Sequence, residues 1–283
     1  MPMISLKEFI ATHLSHNCVK MTEHLHNSIH LAEISNYLAK ENDYKPEEIL
    51  TLRVKLFEYY SCMRQFDVCH HILAEISSRN KGTEFNADLP YENIQVAAEY
   101  YMLVGIQYRN YLPIQNFELS RANFHASLSL YSSLINGSRH LPEIPQKYID
   151  EHFRTNMNLL GLYVNYWFNP DRAAELISDM NDQLSTTTIK ENAYVSLFHY
   201  VSGCYYLKTK DFQNAIDSLN LASQFLDATP EKAWGGNGEY RKLIDSKLEE
   251  AKNNLQAARA PTLFNPVPVP AVNRMSIASL LNR

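Results

Sequence analysis

Three observations predict an all-α chain built from helical hairpins. The chain has only 8 glycines in 283 residues, and long stretches lack both Gly and Pro, which favours helices over a Gly-rich sheet or a loop-heavy α/β fold. Apolar residues recur at helical spacing in one segment after another. Between residues 191 and 230, Gly203, Tyr206, Phe212, Ala215, Leu219 and Ala222 are separated by 3, 6, 3, 4 and 3 residues. That spacing places the first three on or just after one helix and the last three on one face of the next, with a small residue where the two must touch.

Taken in order, residues 5–42 read as one broken helix or two continuous ones. Leu6, Phe9, Ile10 and Leu14 form a first apolar stripe, and Leu25, Ile29, Leu31, Ala32, Ile34, Tyr37 and Leu38 a wider second one. Pro46 opens the next helix at a first-turn position, followed by Glu47 and Glu48 near the positive end of its dipole. Tyr59-Tyr60 then stands to Phe66 as Tyr205-Tyr206 stands to Phe212, with Cys69, Leu73 and Ile76 in the places of Ala215, Leu219 and Ala222. Phe57 replaces the small residue of the first helix, so this hairpin is expected to be held further apart. A polar loop over 80–90 leads to helices over 91–110 and 117–135, the second with Ala122, Ala126, Leu130 and Leu134 on its inner stripe. A fourth pair spans 148–180, with Gly161 and Ala173 spaced 12 apart like Gly203 and Ala215, and a turn at Asn169-Pro170-Asp171. After a glycine-bearing loop at 233–238, a last helix over 240–258 carries Leu243, Ile244, Leu248, Ala251 and Leu255 on one side, as a terminal cap needs. From Ala260, Pro261, Pro266, Pro268 and Pro270 forbid helix and favour an extended tether. Met275, Ile277, Leu280 and Leu281 crowd beyond it and read as a docking segment on an otherwise disordered tail.

The stretch over 191–230 resembles a tetratricopeptide (TPR) repeat, in which a Gly or Ala on helix A, an aromatic at the turn and two Ala positions on helix B hold these relative places. His199 stands where that family usually has a large aromatic, and Pro230 falls a few residues late. The resemblance implies a right-handed superhelical array of TPR-like hairpins with a C-terminal capping helix. Its expected divisions are an N-terminal helical segment over 1–45, the array over 46–258, and the tether with its docking segment over 259–283. It also implies a non-enzymatic scaffold or adaptor that binds a protein or peptide in its concave face. A second reading is a peptide-responsive sensor similar to the pheromone receptors of Gram-positive bacteria. Those place a DNA-binding head before such repeats, whereas here only Lys7 and Lys20 precede Lys40, too few to clamp phosphates.

Composition narrows the classes further. A net charge of −5 supplies no global field for nucleic acid or anionic lipid. The four cysteines form no C-x-x-C pair and read as reduced, buried thiols, and no apolar run reaches the length of a membrane span, so a soluble, intracellular (cytoplasmic) protein is expected. No phosphate loop, nucleophile elbow or zinc-protease motif occurs, and the acids read as solvated helix surface, Asp150 and Glu151 beside His152 included. Catalytic residues, cofactors and metals are therefore not assigned. His26 and His30, one turn apart near Glu23 and Glu33, are accounted for by a polar helix face. A homo-oligomer is compatible with the sequence.

The tyrosines carry the strongest remaining signal: 18 of them, with aromatic doublets at Tyr59-Tyr60, Tyr100-Tyr101, Tyr166-Trp167 and Tyr205-Tyr206. Neighbours on a helix sit about 100° apart, so one of each pair is expected inside and the other out. With nearby polar residues, Tyr101, Gln107, Asn158, Asn165, Tyr166, His199 and Tyr205 are the candidate lining of a peptide groove.

Overall fold

Local chemistry sets several of the helix starts. Pro46 and Pro170 sit in first turns, where their missing N–H costs nothing. Asn116, Asn169 and Asp211 each accept a backbone N–H three residues on, at 3.0, 3.2 and 3.3 Å. The computed structural model describes residues 5–14, 28–79, 91–140, 142–229 and 237–259. Among these residues it holds eleven helices and no strand. They are α1 (Leu6–Phe9, running into a π-turn Ile10–Leu14), α2 (Ser28–Ala39), α3 (Pro46–Cys62) and α4 (Phe66–Arg79). Then come α5 (Tyr91–Asn110), α6 (Phe117–Gly137), α7 (Gln146–Gly161, widening to a π-turn Leu162–Tyr166) and α8 (Pro170–Thr186). The series closes with α9 (Asn192–Lys208), α10 (Phe212–Asp227) and α11 (Asn237–Arg259).

Successive helices pack as neighbours: α3 on α4, α5 on α6, α6 on α7, α9 on α10 and α10 on α11. First helices also meet, α3 against α5 and α7 against α9. One continuous core runs through α3 to α9 and includes Val54, Phe57, Met102, Phe124, Phe153, Leu160, Tyr194 and Phe198. A smaller cluster of Leu6, Phe9, Leu14, Ile34 and Tyr37 fastens the N-terminal helices to Ile49, Leu52 and Tyr59 of α3.

The equivalence read between the α3–α4 and α9–α10 turns extends to single hydrogen bonds. Arg64 N donates to Ser61 O and Gln65 N to Tyr60 O, and likewise Lys210 N to Leu207 O and Asp211 N to Tyr206 O. Both turns are Schellman caps whose left-handed position carries a side chain, Arg64 at φ 57° and Lys210 at φ 64°. Glycine is the residue that fits there without strain. Lys210→Gly is therefore expected to stabilise the protein by about 0.5–1 kcal/mol, read as a higher urea midpoint at unchanged slope; an unchanged or lower midpoint would refute this.

Four expectations change. On α6 the buried face is Ser120, Phe124, Ser127, Leu130, Tyr131 and Leu134, while Ala122 is exposed. The reason is that Phe124, not Ala122, packs under Gly105, where a Cβ would lie 2.7 Å from its ring. Gly161 does not meet α8 at Ala173: the one side chain within 4 Å of its Cβ position is Arg109, at 3.4 Å. Asn237 and Gly238 belong to the first turn of α11 rather than to a loop. Finally, Asp150 and Glu151 are 6% and 2% exposed, not solvated. The loop over 80–90, the tail with Met275, Ile277, Leu280 and Leu281, and His26 lie outside the described residues.

Candidate functional site: a cationic cleft among the first helices

The π-turn that ends α7 adds one residue to a helical turn, closing with Trp167 N on Leu162 O at 2.9 Å. It leaves Tyr166 half exposed, its hydroxyl donating to Asn110 Oδ1 at 2.8 Å. Such widened turns recur at functional sites because they re-aim a side chain. Here Tyr166 forms one wall of a cleft of about 410 Å³. Its lining comes from α3, α5, α7 and α9, the first helix of each hairpin, from the start of α4, and from Arg64 and Tyr240 of α11. Phe66, Ile106, Met157 and Leu197 supply apolar surface, and Arg64, Arg109 and Arg154 supply charge.

The three arginines differ in how they are neutralised. Arg154, 5% exposed, donates to Glu58 Oε1 at 2.5 Å and to Glu151 Oε2 at 3.0 Å. It thereby joins a buried network: Lys55 reaches Glu58 at 3.0 Å and Glu99 at 2.5 Å, Lys147 reaches Glu99 at 3.1 Å, and Tyr194 donates to Glu151 at 3.0 Å. Three carboxylates face three cations there, so the network balances. Burial would raise the pKa of Glu58, but Lys55 and Arg154 outweigh it and hold the carboxylate below its usual range. Glu151 moves the other way: burial, with Glu58 and Glu99 nearby, prevails over Arg154 and raises its pKa.

Arg109 is held by neutral groups. Its Nη1 donates to Asn158 O at 2.8 Å, its Nη2 to Asn158 Oδ1 at 3.1 Å and its Nε to Asn110 Oδ1 at 3.3 Å. The guanidinium carbon lies 5.5 Å from the Tyr166 ring centroid and 5.7 Å from that of Phe124. Burial lowers its pKa, opposed by the phenols of Tyr166 and Tyr240. Gly161 lies beside Nη1, which a Cβ there would meet at 3.4 Å, an ordinary contact distance.

Of the seven residues expected to line a groove, Asn158 and Tyr166 border the cleft. Asn165 is exposed on the π-turn. The remaining four are committed to packing. Gln107 is fully buried, its Nε2 donating to Phe66 O at 2.9 Å. Tyr101 packs beside Leu130, Tyr131 and Leu134, and Tyr205 against the main core. His199 is 9% exposed and stacks on Phe225, with centroids 5.7 Å apart and planes at 18°. Tyr166-Trp167 does split, Tyr166 outward and Trp167 against the main core, whereas the rings of Tyr100-Tyr101 and Tyr205-Tyr206 turn edge-on to each other at 5.7 and 5.3 Å and both members are half-buried. Arg64, Arg109 and Arg154 went unnoticed in the sequence. The available signals were an Arg in a C-cap position that asks for glycine, and an Arg at the end of a helix with no acid one turn away.

His199 gives a pH dependence. Burial pushes its imidazole down to about 4, so the unfolded chain binds the proton more readily than the folded one. Its stabilising contribution is complete above the unfolded pKa near 6.5 and is lost as pH falls toward the folded value. Between pH 7 and pH 5 this group alone is expected to cost about 2 kcal/mol of stability. Urea titrations of the wild type and His199→Gln at both pH values test it; equal pH slopes in the two proteins would refute the assignment.

Among the described residues no group of three His, Cys, Asp or Glu is placed to hold a metal, and no helix is long and apolar enough to cross a membrane. Fold and site together define an all-helical protein with a cationic, aromatic-walled cleft. Compared with known protein families, curated proteins and solved structures, the chain matches none.

Proposed function

We propose that this chain is a non-enzymatic scaffold or adaptor of the cytoplasm that holds a peptide, or a peptide segment of a partner protein, in the cleft among α3, α5, α7 and α9. In this reading the hairpins form a right-handed TPR-like superhelix whose concave face is that cleft, over 46–258, with α11 as the cap. The observation that carries it is the lining: apolar side chains, tyrosines and arginines converge on one volume of about 410 Å³ to which α3, α5, α7 and α9 all contribute residues. Rigid phenols give large contact area at little entropic cost, and arginine gives directional donors, a combination suited to extended peptide. Panning random dodecapeptides against the full chain tests the proposal. Enriched peptides should bind the wild type, and Tyr166→Ala should weaken them roughly tenfold, about 1.4 kcal/mol, with the melting temperature little changed. Failure to enrich any peptide, or equal binding by Tyr166→Ala, would overturn it.

The sensor reading draws on a separate observation: Arg154 belongs both to the cleft wall and to the buried ionic network of α3, α5 and α7. A ligand touching Arg154 would bias the packing of those helices. A bound peptide should then shift ¹H–¹⁵N signals of α3 and α5 away from the cleft, whereas in a scaffold the shifts stay at the cleft.

A further inference from the structure

Among the described residues two arginines are buried, and both are neutralised. Arg53 lies 2.5 Å from Glu41 and 3.6 Å from Glu75, and Arg154 lies against Glu58 and Glu151. Arg109 is part-buried, yet among the described residues its partners are two asparagines and two aromatic rings, with no carboxylate. Three of its five N–H groups donate to those asparagines, which leaves two for a ligand. Across the same cleft, the exposed Arg64 is held over Tyr240 at 5.8 Å from the ring centroid. Glu239, the carboxylate that acts on Arg64 at longer range, is itself paired with Lys242 at 2.8 Å. Tyr166 and Tyr240 act on both guanidinium groups, which places the two arginines around a common space.

A partly desolvated guanidinium with no counter-charge gains from an anion that supplies one, and the planar fork of an arginine matches a two-oxygen anion. We infer that the cleft is an oxyanion site, in which Arg109 and Arg64 hold a carboxylate or phosphate group of the ligand while Phe66, Ile106, Met157 and Leu197 receive its apolar part. The inference rests on the reading of this cleft as the ligand site and names the chemistry that site selects. Asn158 and Asn110 are positioning residues: they fix the Arg109 plane through its Nη1, Nη2 and Nε donors.

The test uses the full chain with succinate and inorganic phosphate as probes, each against chloride at equal ionic strength, followed by melting temperature and by the arginine Nε–H signals in a ¹H–¹⁵N spectrum. At least one probe should raise the melting temperature and move the Arg109 signal, and the tighter of the two identifies the carboxylate or the phosphate source. Binding should fall at least tenfold in Arg64→Gln and in Arg109→Lys, and persist in Arg172→Gln, an exposed arginine paired with Glu175 on α8. Arg64 is exposed, so its variant keeps the test decisive if Arg109→Lys does not fold. No shift with either probe at matched ionic strength, or unchanged affinity in Arg64→Gln, overturns the inference. Octapeptides with free and amidated C-termini separate it from the proposed function. Peptides that bind without regard to any acid sink the oxyanion site and leave the peptide cleft standing, whereas succinate or phosphate binding with no peptide binding does the reverse.

Discussion

Lys55→Met is expected to destabilise the protein by about 3–5 kcal/mol at pH 7, because it removes one partner from a buried ion network and leaves carboxylates uncompensated. Lys55 is 3% exposed and lies between Glu58 and Glu99, themselves 1% exposed. Burial would lower the lysine's pKa, but the two carboxylates outweigh it and hold it above its ordinary value. The signs define the pH window. A raised lysine contributes fully below its unfolded pKa and loses that contribution as pH rises through the folded one. Glu58 and Glu99, depressed below their usual value by Lys55, Arg154 and Lys147 against the effect of burial, contribute above the unfolded carboxylate pKa and lose it as pH falls. The contributions of Lys55, Glu58 and Glu99 are therefore at full strength between roughly pH 5 and 10, while Glu151, whose pKa is raised, opposes them once it ionises. Urea denaturation of both proteins at pH 7 checks this, and a loss below about 1 kcal/mol would show that water or rearranged partners replace the lysine. Because Glu99 is left short by the substitution, Lys55→Met with Glu99→Gln should recover part of the loss, a coupling that independent sites would not show.

Gly203→Leu should cost roughly 1–3 kcal/mol or more by overpacking the α9–α10 contact. A Cβ at Gly203 would stand 2.6 Å from Leu219 Cγ and 2.9 Å from its Cδ2, with Ala215 O at 3.4 Å behind. Leu219 has little room to retreat, since it and Ala215 are fully buried against Ala251 of α11. Gly161→Ala is the contrast, because its Cβ position meets only Arg109, at ordinary contact distance. Melting temperatures should drop several degrees for Gly203→Leu and change little for Gly161→Ala. Equal effects would mean that the two glycines do the same packing job, which the contacts deny.

What the sequence determined by itself is local. Prolines at 46 and 170, the side-chain caps at Asn116, Asn169 and Asp211, and the repeated six-residue spacing from Tyr60 to Phe66 and from Tyr206 to Phe212 specify helices, starts and turns from interactions three to six residues long. The limits 91–110 of α5 were legible in the same way, as was the Gly203 contact with Ala215 and Leu219, because a hairpin brings near neighbours together. Only the tertiary structure decided which polar side chains are inside. Glu58 and Arg154 are 96 residues apart, Arg109 and Asn158 are 49, and each looks like ordinary helix surface until its partner arrives. The face of α6 turned for the same reason, as Phe124 found the space under Gly105 that Ala122 is too small to fill. Helix periodicity records the direction of the core, whereas the balance of buried charge, and with it the cationic cleft, depends on which helices lie side by side.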